Sequence, residues 1–338
     1  MGAKSFGVGR WLRAITRRCG RASWQRRGQG LALVSVPVKG VRMLKLWPVT
    51  KCGGPAGLLA LMLALGQTPQ ALAEGAGAAV EQAVPAEIGA LLQTLHIDGL
   101  IGVMQAEGLD YGMALREEML PDKTPAAWMA VVGHIYDTGR MRREFETALA
   151  RELSGAPEVI AAAQAFFGDA RGQKILSLEI EARHALLDDK VEEAAQAAVA
   201  RMEAEGAPRL EALHRFAEAN DLIEMNVMGA MNASLAFYRG LNAGGAFGDA
   251  MSESDMLAEV WGQEAQVRTE TEDWLWPYLS LAYQPLSDEE LQAYQRFSET
   301  PEGQRLNAAM FAAFDGMFNR ISGELGAAAA RQMQGEDI

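Results

Sequence analysis

The stretch Leu286-Ser287-Asp288-Glu289-Glu290-Leu291, continued through Phe297 to Thr300-Pro301-Glu302-Gly303-Gln304-Arg305-Leu306, decides how this chain folds. Ser287 with Glu290 three residues on is a capping box, and Leu286 and Leu291 supply the hydrophobic staple around it, so a helix begins here. Thr300 before Pro301 is a second cap, with proline at the first helical position, where its missing N–H costs nothing. The stretch therefore predicts a helix start, a short helix, a corner and a second helix start. Gly303, one turn inside the second helix, costs about 1 kcal/mol in helix propensity, and a glycine kept there implies close approach of another helix.

Working outward, helical periodicity runs almost without interruption from residue 86, and alternation over four or more residues is scarce. The pattern predicts helices at about 86–95, 98–119, 125–153, 157–167, 170–205, 208–219, 221–241, 254–282, 287–298 and 301–332. Thr124-Pro125, Gly155-Ala156-Pro157, Gly206-Ala207-Pro208 and Gly244-Gly245 separate them as turn signals. The class is all-α.

Laid against itself, the chain suggests an internal duplication at an offset of about 130 residues. Phe166 matches Phe297, Asp169 matches Thr300, and Gly172-Gln173-Lys174-Ile175 matches Gly303-Gln304-Arg305-Leu306. Ala156-Pro157 falls on Ser287-Asp288, Gly133 on Gly262 and Phe145 on Trp274; Leu100-Ile101 falls on Leu222-Ile223 after a shift of offset. The apolar stripes Leu306, Met310, Ala313, Met317, Ile321, Leu325 and Ile175, Leu178, Ala182, Leu186 mark core faces of the last helix and its counterpart. The expected architecture is two tandem copies of a roughly five-helix unit, a degenerate first repeat at 85–206 and a second at 207–338.

Charge divides unevenly. Residues 1–73 hold 12 of the 31 Lys and Arg and none of the 44 Asp and Glu, which leaves 19 basic against 44 acidic residues in the remainder. A body with a formal charge of −25 repels nucleic acid and anionic lipid. From Met43 the chain reads as a secretory signal, 43–73: Lys45 and Lys51, an apolar run from Gly54 to Gly66, and Ala71-Leu72-Ala73 as an A-x-A cleavage site. A run of 13 residues is too short for a bilayer of about 30 Å, so no stable membrane insertion is expected after cleavage. The basic extension 1–42 has no clear helix or strand period; it is either an unusual n-region or lies upstream of a true start at Met43, and the second is favoured. Residues 74–84 read as a mobile leader. Both cysteines, Cys19 and Cys52, lie in the part to be removed, so neither a disulfide nor thiol catalysis is expected of the mature chain. The expected compartment is the bacterial periplasm or the medium.

The capping box, Phe297 and the Thr300-Pro301-Glu302-Gly303-Gln304 corner resemble the bacterial exported family catalogued as domain of unknown function 2059. The specific match covers about 25 residues, extends weakly over the second repeat and reaches the first only through the duplication. Ser298 stands where that family tends to have a second aromatic, and Asp169-Ala170-Arg171-Gly172 replaces the proline corner in the first copy. The resemblance implies an exported helical protein and brings no catalytic residues with it.

Three constellations are candidates for chemistry. Glu181 with His184 and Glu211 with His214 are Glu-x-x-His pairs of the kind that bind metal in di-iron bundles, but those bundles take them from non-consecutive helices, so solvated helix faces are the expectation. Met225, Met228 and Met231 could offer thioethers to Cu(I), yet the mature chain has 14 methionines spread over most helices, which favours core filling. Trp274, Trp276, Tyr278 and Tyr283 surround Pro277, which should kink or end a helix. They read first as packing between the repeats and second as a partner-binding surface. No serine-nucleophile elbow and no strand-preceded glycine-rich loop occurs. The sequence thus predicts a non-enzymatic interaction or structural module of the cell envelope, without cofactor or nucleic-acid partner. The alternative is a metal-binding protein using the Glu/His pairs or the methionines; a third class, binding at a membrane surface, would have to be apolar and insensitive to salt.

Overall fold

The computed structural model describes residues 84–120, 124–248 and 251–335, together with a short antiparallel hairpin, Val36–Val38 with Val41–Met43, in the extension where no strand period was read. Apart from Met43, the signal segment lies outside the described residues, as does nearly all of the leader. The described body is helical throughout, an all-α bundle. Before Gly206 run α1 (Ala86–Thr94), α2 (Ile97–Met119), α3 (Pro125–Ile135), α4 (Thr138–Glu152), α5 (Pro157–Phe167), α6 (Ala170–Ala185) and α7 (Asp189–Glu205). After it run α8 (Pro208–Ala219), α9 (Leu222–Ala243), α10 (Glu253–Trp261), α11 (Glu264–Tyr283), α12 (Asp288–Ser298) and α13 (Pro301–Met333). No helix among the described residues is long and apolar enough to cross a membrane.

The deciding stretch folds as its chemistry dictates. Ser287 Oγ accepts from the Glu290 amide at 3.2 Å while the Glu290 carboxylate accepts from the Ser287 amide at 2.8 Å, and Leu286 and Leu291 are buried beneath. Thr300 Oγ1 accepts from the Gly303 amide at 3.0 Å, and Asp169 Oδ1 from the Gly172 amide at 2.7 Å. The close approach at both glycines comes from the helix just ended: a Cβ would sit 2.1 Å from the Phe297 carbonyl oxygen at Gly303 and 2.3 Å from that of Phe166 at Gly172. Only glycine lets the chain turn that corner without displacing backbone.

Three expected long helices are in fact broken. The 125–153 helix divides at Tyr136, where Asp137 caps α4 by accepting from the Arg140 amide at 2.7 Å. The 170–205 helix divides at Leu186–Asp188, with Asp188 capping α7. The 254–282 helix divides at Gly262-Gln263. Aspartate inside a periodic run reads as a solvated face until its side chain is seen taking the backbone amide. The roughly five-helix unit is therefore corrected to seven helices before Gly206 and six after it. Two matched positions also differ in their local setting. Gly133 lies inside α3 whereas Gly262 caps α10, and the helix starts set Ile97, not Leu100, against Leu222. Pro277 lies inside α11 without ending it.

His96 and Asp221 are the non-glycine residues of positive φ among the described ones, at 54° and 51°, and each sits immediately before a long helix, α2 and α9. Each of those corners is held by a later helix of its own half. Gln173 of α6 donates to the Thr94 carbonyl at 2.9 Å, and Asn307 of α13 donates to the Asn220 carbonyl, also at 2.9 Å.

The cores do not follow the boundary at Gly206. The largest gathers α1 to α5 around Trp128, Phe145 and Leu149, and is closed by α13 through Met317, Ile321, Leu325 and Ala329 and by Phe237 and Leu241 of α9. The second gathers α8, α11 and α12 around Leu213, Phe216, Leu279 and Tyr283, and is closed by Ile175 and Ala182 of α6. The third joins α9 and α10 through Val227, Met231, Met256 and Val260. Helices thus cross the boundary in both directions, α6 closing the second core and α13, with part of α9, closing the first.

Candidate functional site

Where α6 enters the second half, an ion pair and a further carboxyl are drawn into the packing, Glu107 buried and Arg183 and Glu179 half-buried. Glu107 belongs to the inner face of α2, one turn from Met104 and Tyr111, and is 7% exposed. Arg183 of α6 meets it in a fork, Nε to Oε1 at 2.7 Å and Nη2 to Oε2 at 2.8 Å. Such a bidentate pair combines charge with fixed geometry. Burial lowers the Arg183 pKa, and the adjoining Glu107 carboxylate more than reverses this, leaving the guanidinium firmly charged. Its plane lies 5.7 Å from the Trp274 ring, which is stacked on Tyr278 at 4.9 Å.

One turn earlier on α6, Glu179 Oε1 accepts from the Tyr283 hydroxyl at 2.7 Å. Burial raises the Glu179 carboxyl from its ordinary value of 4.5 to about 7, against the opposing hydrogen bonds of the Tyr283 and Tyr294 hydroxyls. Burial first, and then the Glu179 charge, push the hydroxyls of Tyr278, Tyr283 and Tyr294 well above the ordinary tyrosine value, so they stay protonated donors at any working pH. Tyr294 packs on Phe166, Phe167 and Phe216, and Phe166 stacks on Phe297 with centroids 4.4 Å apart and planes 9° apart. The result is a seam with a firmly paired charge on the α2 side and a titratable carboxyl on the α11–α12 side.

The aromatic surface read from the sequence is largely this seam. Tyr283 is 2% exposed, and Trp274, Trp276 and Tyr278 are half-buried against the second core. Ser287 and Glu290 cap α12, while Thr300, Pro301 and Gly303 and, in the first half, Asp169 and Gly172 form the two corners that aim α13 and α6. The metal candidates are dispersed. Glu181, His184, Glu211 and His214 are all exposed, His214 with its ring 4.3 Å from that of Trp276. Met231 is buried, Met225 half-buried and Met228 60% exposed, because steps of three turn each side chain about 60° around the helix. Among the described residues no group of three or more His, Cys, Asp or Glu could hold a metal ion.

Sequence reasoning missed Glu107, Glu179, Arg183 and Tyr294. Their signal was available in part: Glu107 interrupts the stripe Met104, Tyr111, Leu115, and Glu179 and Arg183 are one turn apart beside the stripe Ile175, Ala182. A charge on an apolar face is the mark of a buried pair or a functional group. Its partner, 76 residues away for Arg183 and Glu107, is set by the packing of α6.

One further feature stands outside the seam. Leu257 and Trp261, four residues apart on one face of α10, are 37% and 67% exposed. On α3, a short helix of the first half, Trp128 and Val132 are fully buried, and α13 packs on that helix. Comparison with protein-family models, with curated proteins and with solved structures gave no match.

Proposed function

We propose that this chain is an exported, non-enzymatic helical protein that serves as an interaction or structural module of the bacterial cell envelope, and that its two halves descend from one unit of the kind resembling domain of unknown function 2059. Export is supported by the signal pattern at 43–73 and by the sharp change from a basic to an acidic chain at Glu74. Descent from one unit is supported by the left-handed residues His96 and Asp221 before α2 and α9, and by the meeting of Phe166 with Phe297, matched positions in face-to-face contact. Matched residues touch in this way when two copies are related by a two-fold axis.

The observation that carries the interaction reading is the exposed pair Leu257 and Trp261. Large apolar side chains left together on one helix face mark contact surfaces, and tryptophan is enriched where binding energy concentrates. The interior ionisable groups, by contrast, are committed to each other. A photo-crosslinking residue at position 261, introduced into the full chain in an exporting bacterial host, should trap a discrete protein adduct, while the same residue at exposed Glu181 should not. The exported product should begin at Glu74 by mass spectrometry. A product retained uncleaved in the cytoplasm, or identical crosslinking at both positions, would overturn the respective half of the proposal.

A further inference from the structure

The α6 seam holds two acidic groups in different circumstances. Glu107 has a cation to itself, whereas Glu179, on the same seam, has hydroxyl partners and no Lys or Arg pairs with it among the described residues. It faces Tyr278 and Tyr283 from α11 and Tyr294 from α12, with Arg183 one turn along α6 already committed to Glu107 of α2. From α8 the neighbour of those tyrosines is the Phe216 ring, and from α5 it is the Phe166–Phe167 pair, neither of which titrates. The hydroxyl donors favour the carboxylate, but burial of this half-buried side chain among aromatic rings disfavours the charged form and outweighs them. The group also sits on the helix that closes the second core, so its ionisation acts on the docking of α6 itself.

We propose that Glu179 is a proton-operated latch: as the neutral acid it lies against Tyr283 and Tyr294 and holds α6 onto the corner of α11 and α12, and as the carboxylate it loosens that docking. The sign follows from linkage. A carboxyl whose folded value lies above its unfolded one stabilises the fold fully below the unfolded value, and the contribution is lost as pH rises through the folded one. With values of 4.5 and about 7, the loss falls between slightly acid and neutral pH. The carboxylates held low by arginine, lysine or backbone partners, Glu224, Glu253, Glu289 and Glu290, lose their contributions below that window. A variant of Glu179 alone isolates its contribution from that of every other group.

The test is urea unfolding of the purified mature protein at pH 5.5 and 8, with hydrogen exchange on peptides of α6 at both values after correction for intrinsic rates. The wild-type unfolding constant should rise on the order of tenfold from pH 5.5 to 8 through this group, with protection of 170–185 falling more than that of α4. Glu179→Gln keeps the shape and the acceptor and should remove that component. Tyr283→Phe deletes a donor that favours the ionised form, and should move the transition to higher pH. An equal pH dependence in wild type and Glu179→Gln, or a transition in Tyr283→Phe that stays put or moves down, overturns the latch. Should Glu179→Gln fail to fold, the Tyr283→Phe transition decides alone.

Discussion

The two exchanged helices dock by opposite chemistry. α13 enters the first half through a dry contact: Phe314 meets Phe145 with centroids 4.4 Å apart, and Leu325, Ala328, Ala329 and Ala330 are fully buried. Along α9 the approach is closer still, since a Cβ on Gly240 would sit 2.1 Å from the Gly323 carbonyl oxygen and one on Gly326 would sit 2.2 Å from that of Phe237. Half-buried charges flank this contact, where Arg140 pairs with Glu324 and Arg320, 16% exposed, with Glu144 at 2.6 Å. α6, entering the second half, carries Arg183 and Glu179 inward instead. The apolar packing of α13 on α9 is insensitive to pH, with an ion-pair network beside it, while the α6 seam depends on pairing and protonation throughout. A single topological manoeuvre thus yields one fixed joint and one adjustable joint.

The largest effect should come from cutting the exchange altogether. Residues 84–206 and 207–338 expressed separately should each show lost cooperativity and low exchange protection, because each lacks the helix that closes its core, and mixing them should restore both. Two independently folded halves would mean that the crossing contacts are dispensable. Next, Arg183→Met leaves Glu107 buried without its cation and should cost about 3–5 kcal/mol in urea unfolding. Adding Glu107→Leu should recover much of that loss, since a paired replacement leaves no orphan charge. A comparable effect at the dry joint is expected of Gly240→Val, about 3 kcal/mol through overpacking against backbone that has no rotamer to move. Unlike the Glu179 contribution, it should be the same at pH 5.5 and 8. Smallest are the caps that aim the two helices: Thr300→Ala and Asp169→Ala should each cost about 1 kcal/mol, read as a shift in midpoint at constant slope.

Much of this was legible locally. Ser287 with Glu290, Thr300 before Pro301, and Asp169 three residues before Gly172 specify helix starts through bonds that span three residues, so sequence alone reaches them. The stripe Leu306, Met310, Ala313, Met317, Ile321, Leu325 likewise names a core face, with Met310 half-buried against it and the others buried. The breaks at Asp137 and Asp188 were not legible, because an aspartate that caps and one that faces solvent leave the same pattern. Glu107, Glu179 and Arg183 leave only the signal of a charge beside an apolar stripe, which names no partner. Tyr283 and Trp274 were identified as a cluster around Pro277, but whether they faced a partner or α6 depended on a helix a hundred residues earlier.

What the sequence by itself determined is the helical class, most helix starts and the two glycine corners, since capping and periodicity act within a few residues of the chain. What only the tertiary structure decided is which half each core belongs to, and therefore that Glu179 meets Tyr283 across 104 residues and Arg183 meets Glu107 across 76. The amphipathic pattern tells a helix that it must bury a face. It carries no address for the surface that receives it, and that surface is chosen by the fit of the whole set of helices.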